Sequence, residues 1–147
     1  NRQHTWEESA KAVVKTAEKG IAVGAHLILG LPGETHRDIL SNAQKLSTLH
    51  LKTVKLHQLQ IIKGTAMAKE FALQPESFHL FSLEEYIDIC VNFAEYLNPD
   101  FYIERFGSQS PKNLLNTPDC GIKNHDLTHK ILKRFFQRET FQGKCIR

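Results

Sequence analysis

Three side chains able to hold an anion or move a proton fall within or at the end of strand-like segments: His26, His57 and Arg105. Imidazoles on neighbouring parallel strands can share one cavity, and a guanidinium at a strand end can clamp a carboxylate or phosphate with two hydrogen bonds. For Arg105 the equal alternative is a salt bridge with Glu104 or Glu34. Two histidines do not make a metal site without a third ligand, and the sequence offers none at suitable spacing. His57 lies in Val54-Lys55-Leu56-His57-Gln58-Leu59-Gln60-Ile61-Ile62-Lys63, which reads as a buried strand yet carries three polar uncharged or weakly basic side chains. With a period of two, Lys55, His57, Leu59 and Ile61 share one face, and Leu56, Gln58 and Gln60 the other. Buried polar groups need partners or a wet cavity, so one face lines a polar barrel interior or cleft, or an internal hydrogen-bond network absorbs them.

Gly30-Leu31-Pro32-Gly33-Glu34-Thr35 joins a strand end to a helix start. Glycines admit a ligand close to the backbone, and a helix N-terminus offers free amides. The plainer reading is a tight βα turn. The loop lacks the lysine of a Walker motif, and Glu34 already supplies negative charge where a phosphate would sit. Cys90 falls on an apolar helix face, and Cys90, Cys120 and Cys145 match no metal or C-x-x-C spacing. A reduced, cytoplasmic protein is the expectation.

The elements that must position these residues follow from periodicity. Thr5-Trp6-Glu7-Glu8 is a capping box, after which Trp6, Ala10, Val13, Val14 and Ala17 share a helical face up to Gly20. Ile21 to Leu29 reads as a strand, nearly continuously apolar, of the kind covered on both faces. Thr35 caps a helix with Asp38 three residues on. The next strand spans Thr53 to Ile62, and a short helical piece Ala66 to Phe71 follows. Ser82-Leu83-Glu84-Glu85 opens a third long helix that Asn98-Pro99 stops, and Phe101 to Phe106 is an aromatic strand. Gly107 to Lys123 is loop, and His125 to Glu139 a last helix with Leu127, Ile131 and Phe135 inward. Alternating helices and strands predict an α/β fold with parallel strands and right-handed crossovers, whose ligands bind at the carboxyl ends of the strands.

Composition bounds the function classes. The chain has 147 residues, 41% hydrophobic and 24% charged, which excludes a mainly disordered chain. No apolar run approaches a membrane span, and Asn1-Arg2-Gln3-His4 does not read as a signal peptide. The net charge of +3 is unevenly spread. Lys123, Lys130, Lys133, Arg134, Arg138, Lys144 and Arg147 face only two acidic residues in the last 25 positions, leaving −2 on the rest. This basic segment, with Phe135, Phe136 and Phe141 nearby, suits either a solvated helix face or contact with RNA or another polyanion.

Ala25-His26-Leu27-Ile28-Leu29-Gly30-Leu31-Pro32-Gly33-Glu34-Thr35 resembles the fifth-strand motif of radical S-adenosylmethionine (radical SAM) enzymes. Asn1-Arg2-Gln3-His4 resembles the N-R-x-H before their fourth helix. Lys55 to Thr65 is similar to the sixth strand of a bacterial subfamily, the YhcC-like radical SAM proteins. Beyond about the first 70 residues the likeness continues less specifically, through Arg105 and the last helix. The resemblance implies the C-terminal part of a partial (β/α)6 TIM-like barrel that binds a [4Fe–4S] cluster and S-adenosylmethionine. In that family the cluster reductively cleaves the sulfonium to a 5′-deoxyadenosyl radical, which takes a hydrogen from the substrate. Carried over to this chain, Ile28, Gly30, Leu59, Gln60 and Ile61 would bind the cofactor, and Glu34 would hold the loop. His26, His57 and Arg105 are candidates for the substrate side.

The family's C-x-x-x-C-x-x-C cluster motif is absent, so the expectation is a C-terminal fragment, inactive alone and binding no cofactor by itself. Residues 1–107 would be the barrel half and 108–147 a C-terminal loop and basic helix. The expected partners are the N-terminal half of the same protein and an unknown substrate, RNA included, with self-association through a bare sheet edge. A cofactor-free nucleic-acid module and a small anion-binding α/β domain are the alternatives. The latter requires a sheet covered on both faces.

Overall fold

The computed structural model describes residues 4–116 and 121–146. Asn1 to Gln3 of the N-R-x-H motif, Cys120 and Arg147 lie outside the described residues. The element order is α1 (Trp6–Glu18), β1 (Gly24–Leu29), α2 (His36–Ser47), β2 (Thr53–Gln58), α3 (Ala66–Leu73), α4 (Leu83–Glu95), β3 (Tyr102–Arg105) and α5 (Asn124–Gln137). The three strands form one parallel sheet in the order β1-β2-β3.

Helix starts are built as the sequence predicts. Thr5, Thr35 and Ser82 each accept a hydrogen bond from the amide three residues on, and Glu8, Asp38 and Glu85 accept one in return. Gly20, with φ 72°, turns the chain out of α1 in the left-handed conformation that glycine adopts without a Cβ clash.

One face of the sheet is packed. Val54 and Leu56 of β2, with Leu29 of β1, meet Ile39 and Ala43 of α2 and the apolar side of α4. α4 is the central helix, burying Tyr86, Ile87, Ile89, Cys90, Val91, Phe93 and Ala94. α5 lies on it, with Leu127 and Ile131 in the same apolar cluster. Arg134 pairs with Glu84 and Asp88 of α4, and Arg138 reaches Asp88 at 2.7 Å. Two charges of the basic helix are thus bound inward.

The other face departs from expectation. β1 reads as a strand covered on both sides, yet His26 and Ile28 are exposed, Ile28 by 50%. On the same face Lys55 and His57 are half-buried, and α1 flanks β1, with Trp6, Ser9 and Val13 lining a groove together with His26 and Ile28. α1 likewise buries none of its residues; Trp6 is 42% exposed, and Val13 alone on its predicted face packs against the core cluster.

The strands are also shorter than predicted. β1 starts at Gly24 rather than Ile21 because its ladder partner, β2, starts at Thr53. β2 ends at Gln58 rather than Ile62 because its register partner Leu29 is the last residue of β1, after which Gly30 turns aside with φ 87°. Leu59 makes one last bond to the Leu29 carbonyl at 2.9 Å. Ile61 to Lys63 then pair instead with residues 114–116, through an antiparallel bridge of Ile62 with Leu115. Ile61 therefore leaves the His57 face and is buried with Ala68 and Phe78.

Candidate functional site

The open sheet face carries a row of chemistry-bearing side chains. Parallel register sets His26 beside Lys55 and Ile28 beside His57. The imidazoles of His26 and His57 stack, with ring centroids 5.7 Å apart and planes 23° from parallel. A register shift between Val54 and Lys55 brings Glu104 of β3 to Lys55 at 2.8 Å. The Lys55 ammonium, helped by the Thr53 hydroxyl, holds the Glu104 carboxyl below its ordinary value. Arg105, next along β3, makes no ion pair among the described residues, so neither Glu104 nor Glu34 takes it. Burial, and then the charges of His26, Arg105 and Lys55, push the His57 imidazole below its ordinary pKa. Its Nε2 is shielded from solvent and has no hydrogen-bond partner among the described residues.

The loop after β1 is held by its own acid. Glu34 accepts from the Gly30 amide at 2.8 Å, the Leu31 amide at 3.3 Å and the Asn42 carboxamide at 3.2 Å. Thr35 donates its amide to Asp38 at 2.9 Å. Carboxylates of the chain thus occupy the place an anion would take, and His26 and Ile28 are exposed on one sheet face; both observations count against the reading as a self-complete anion-binding domain. Gly30 is backed by Phe81, to which an added Cβ would come within 2.8 Å. That contact crosses 51 residues of chain and has no signal in the local sequence.

At the carboxyl end of β2 lies a cavity of about 470 Å³, lined by Gln58, Leu59, Gln60, Phe81, Tyr86 and Leu115 among others. Gln58 pairs with the backbone of Ser108 in both directions, at 3.2 Å each, and Gln60 accepts from Ser110 at 2.8 Å. The polar residues of this strand are therefore absorbed in two ways. The glutamines latch the loop after β3, while His57 stays on the open face.

The residues carried over for the cofactor are split by the fold. Leu59 and Gln60 line the cavity, Gly30 sits buried against its Phe81 wall, and Ile28 lies on the open face. Ile61 is fully buried elsewhere. Of the substrate-side candidates, His26 and His57 touch, and Arg105 lies within electrostatic reach of His57.

The description that matches is "Radical_SAM C-terminal domain", over residues 51–137. The chain belongs to this radical SAM family. Among curated relatives, it is 28% identical over 97% of its length to uncharacterized protein MJ0486 of Methanocaldococcus jannaschii, covering 44% of that protein. It is 27% identical over 99% of its length to protein YhcC of Escherichia coli, covering 46% of it. The chain thus spans less than half the length of these relatives. Among solved structures, archaeal Methanocaldococcus infernus Elp3 with an N-terminal deletion superposes with a TM-score of 0.79 at 19% identity, over 97% of this chain and 33% of that one. The fold is the C-terminal part of a partial TIM-like barrel, as the strand motifs imply. The relatives include an archaeal protein, so the likeness reaches beyond the bacterial subfamily.

Radical SAM homology implies S-adenosylmethionine and a [4Fe–4S] cluster in full-length members of the family. The described thiols do not fit the cluster. Cys90 is sealed in the core, where burial pushes its thiol up to about 12, and Cys145 stands alone at the surface. The open face fits a ligand with apolar and polar parts better, with Ile28 half exposed beside the unpartnered His57 nitrogen. No helix among the described residues is long and apolar enough to cross a membrane.

Proposed function

We propose that these residues form the C-terminal wall of the reaction chamber in a longer, cytoplasmic radical SAM enzyme. The observation that carries this reading is the family match over residues 51–137 together with a parallel sheet whose second face is open and chemically furnished. When bound, the cluster and S-adenosylmethionine would supply a carbon-centred radical by reductive cleavage of the sulfonium. The chain's own part is binding and orientation. Ile28 offers apolar contact to the adenosyl group from the open face, Leu59 and Gln60 border the separate cavity at the carboxyl end of β2, and Glu34 keeps the Gly30 loop in place. His26, His57 and Arg105 address the substrate. Without cluster ligands of its own, the chain is inactive by itself, and its bare sheet edge favours pairing with the N-terminal half or with a second copy.

The coding sequence upstream of Asn1 tests this directly. It should encode a C-x-x-x-C-x-x-C motif in frame; an upstream sequence without one removes the reading.

A cofactor-free nucleic-acid module finds weaker support. Arg134 and Arg138 are engaged with Glu84 and Asp88, which leaves lysines and the 86% exposed Phe136 to meet a polyanion. RNA affinity measured against salt decides it, because phosphate contacts by lysine impose a steep loss of binding as salt rises.

A further inference from the structure

Resting on the reading above, we propose that Arg105 and His57 form a subsite for an oxyanion of the substrate, a carboxylate or a phosphate, at the carboxyl ends of β2 and β3. Three observations converge on it. First, the charges are unequally satisfied. Glu104 is the carboxylate on this face, and Lys55 engages it at 2.8 Å. Arg105 is left exposed and unpaired beside it, with five N–H donors in a geometry that matches two oxygens of one anion.

Second, His57 Nε2 lacks a partner in a place shielded from water. An imidazole nitrogen so placed forgoes its hydration without replacement, a deficit that a ligand oxygen removes. Arg105, long and held by no ion pair among the described residues, is the cationic neighbour free to grip the incoming anion. Third, the groups facing His57 are His26, Lys55 and Arg105, all cationic or able to become so; Lys55 and Glu104 offset one another, which leaves Arg105 as the uncompensated charge. The local field therefore favours a negative guest. The position, at the carboxyl ends of parallel strands, is where such folds place their ligands.

The same oxyanion chemistry is present in the carboxylate of S-adenosylmethionine, so the test separates the two sources. Histidine imidazole resonances of the protein encoded by the coding sequence that contains these residues are followed by ¹⁵N-edited NMR during titration with inorganic phosphate and, separately, acetate. The His57 signals, assigned by their loss in His57→Gln, should move saturably and the pKa of His57 should rise, while His50 stays still. Arg105→Gln should weaken the response about tenfold, and Arg105→Lys should retain part of it. Both are exposed-site changes, and an unchanged amide spectrum verifies the fold. S-adenosylmethionine should not displace phosphate. A silent His57 at saturating anion, an equal response in Arg105→Gln, or displacement by S-adenosylmethionine each overturns the proposal. The titration requires neither cluster nor turnover, so its failure is distinct from failure of the radical SAM reading, which the upstream cysteines decide.

Discussion

His26 and His57 stack although the ladder does not set them side by side: His26 is level with Lys55, and His57 with Ile28. The contact is the diagonal one between neighbouring parallel strands, which aromatic rings are long enough to span. It leaves the two imidazoles as mutual neighbours, His26 exposed and His57 half-buried.

One consequence is a pH dependence with a definite sign. His57 has a folded-state pKa below its ordinary value, first through burial and then through His26, Arg105 and Lys55. Protonation is therefore easier in the unfolded chain. The stability contribution is intact above the ordinary histidine value, about 6.5, and declines as pH falls from there toward the lower folded value. Urea unfolding at several pH values should show the wild type losing stability relative to His57→Gln as pH drops through that window. A difference independent of pH would contradict it.

Glu34→Ala should cost about 1–3 kcal/mol, because a carboxylate accepting from two backbone amides and Asn42 leaves those donors unpaired when removed. The denaturant midpoint should fall with an unchanged slope, since compactness is not at stake. Glu34→Gln, which keeps one acceptor oxygen, should lose less.

Gly30→Ala combines two faults: φ of 87° and a Cβ 2.8 Å from the Phe81 ring. The expected destabilisation is about 1–3 kcal/mol for the backbone alone, with the clash added. In the Phe81→Leu background the clash should ease and the backbone cost remain, so the double-mutant cycle should show positive coupling. Strict additivity would contradict the contact.

Cys90 and Cys145 should differ sharply toward thiol reagents. The Cys90 thiol is fully buried and pushed up to about 12, whereas Cys145 is exposed. In a Cys120→Ser chain, native maleimide labelling should modify one cysteine, and denaturant should release the second.

Much of this was readable in advance where the signal is local. The three capping boxes need only Thr or Ser and an acid three residues on, and they stand at Thr5, Thr35 and Ser82. The tight turn at Gly30 to Thr35 and the polar side chains of β2 are legible for the same reason. What escaped is long-range. Strand lengths are set by the partner's length, as the early end of β2 at Leu29's level shows. The antiparallel bridge of Ile62 with Leu115 and the packing of Phe81 on Gly30 join segments some 50 residues apart, with nothing in either segment to announce the other. Burial was overestimated for α1 and β1 because apolar periodicity says which face seeks cover, not whether this chain supplies it.

The central claim is that this open face belongs to the chamber in which S-adenosylmethionine is cleaved. The most direct measurement is 5′-deoxyadenosine released by the iron- and sulfide-reconstituted, reduced product of the coding sequence that contains these residues, compared with its Ile28→Glu variant. The account predicts 5′-deoxyadenosine from the parent and a strong loss when a carboxylate replaces Ile28 on the open face, with the cluster's absorbance unchanged. A parent that forms no 5′-deoxyadenosine, or an Ile28→Glu variant that forms as much, would contradict it.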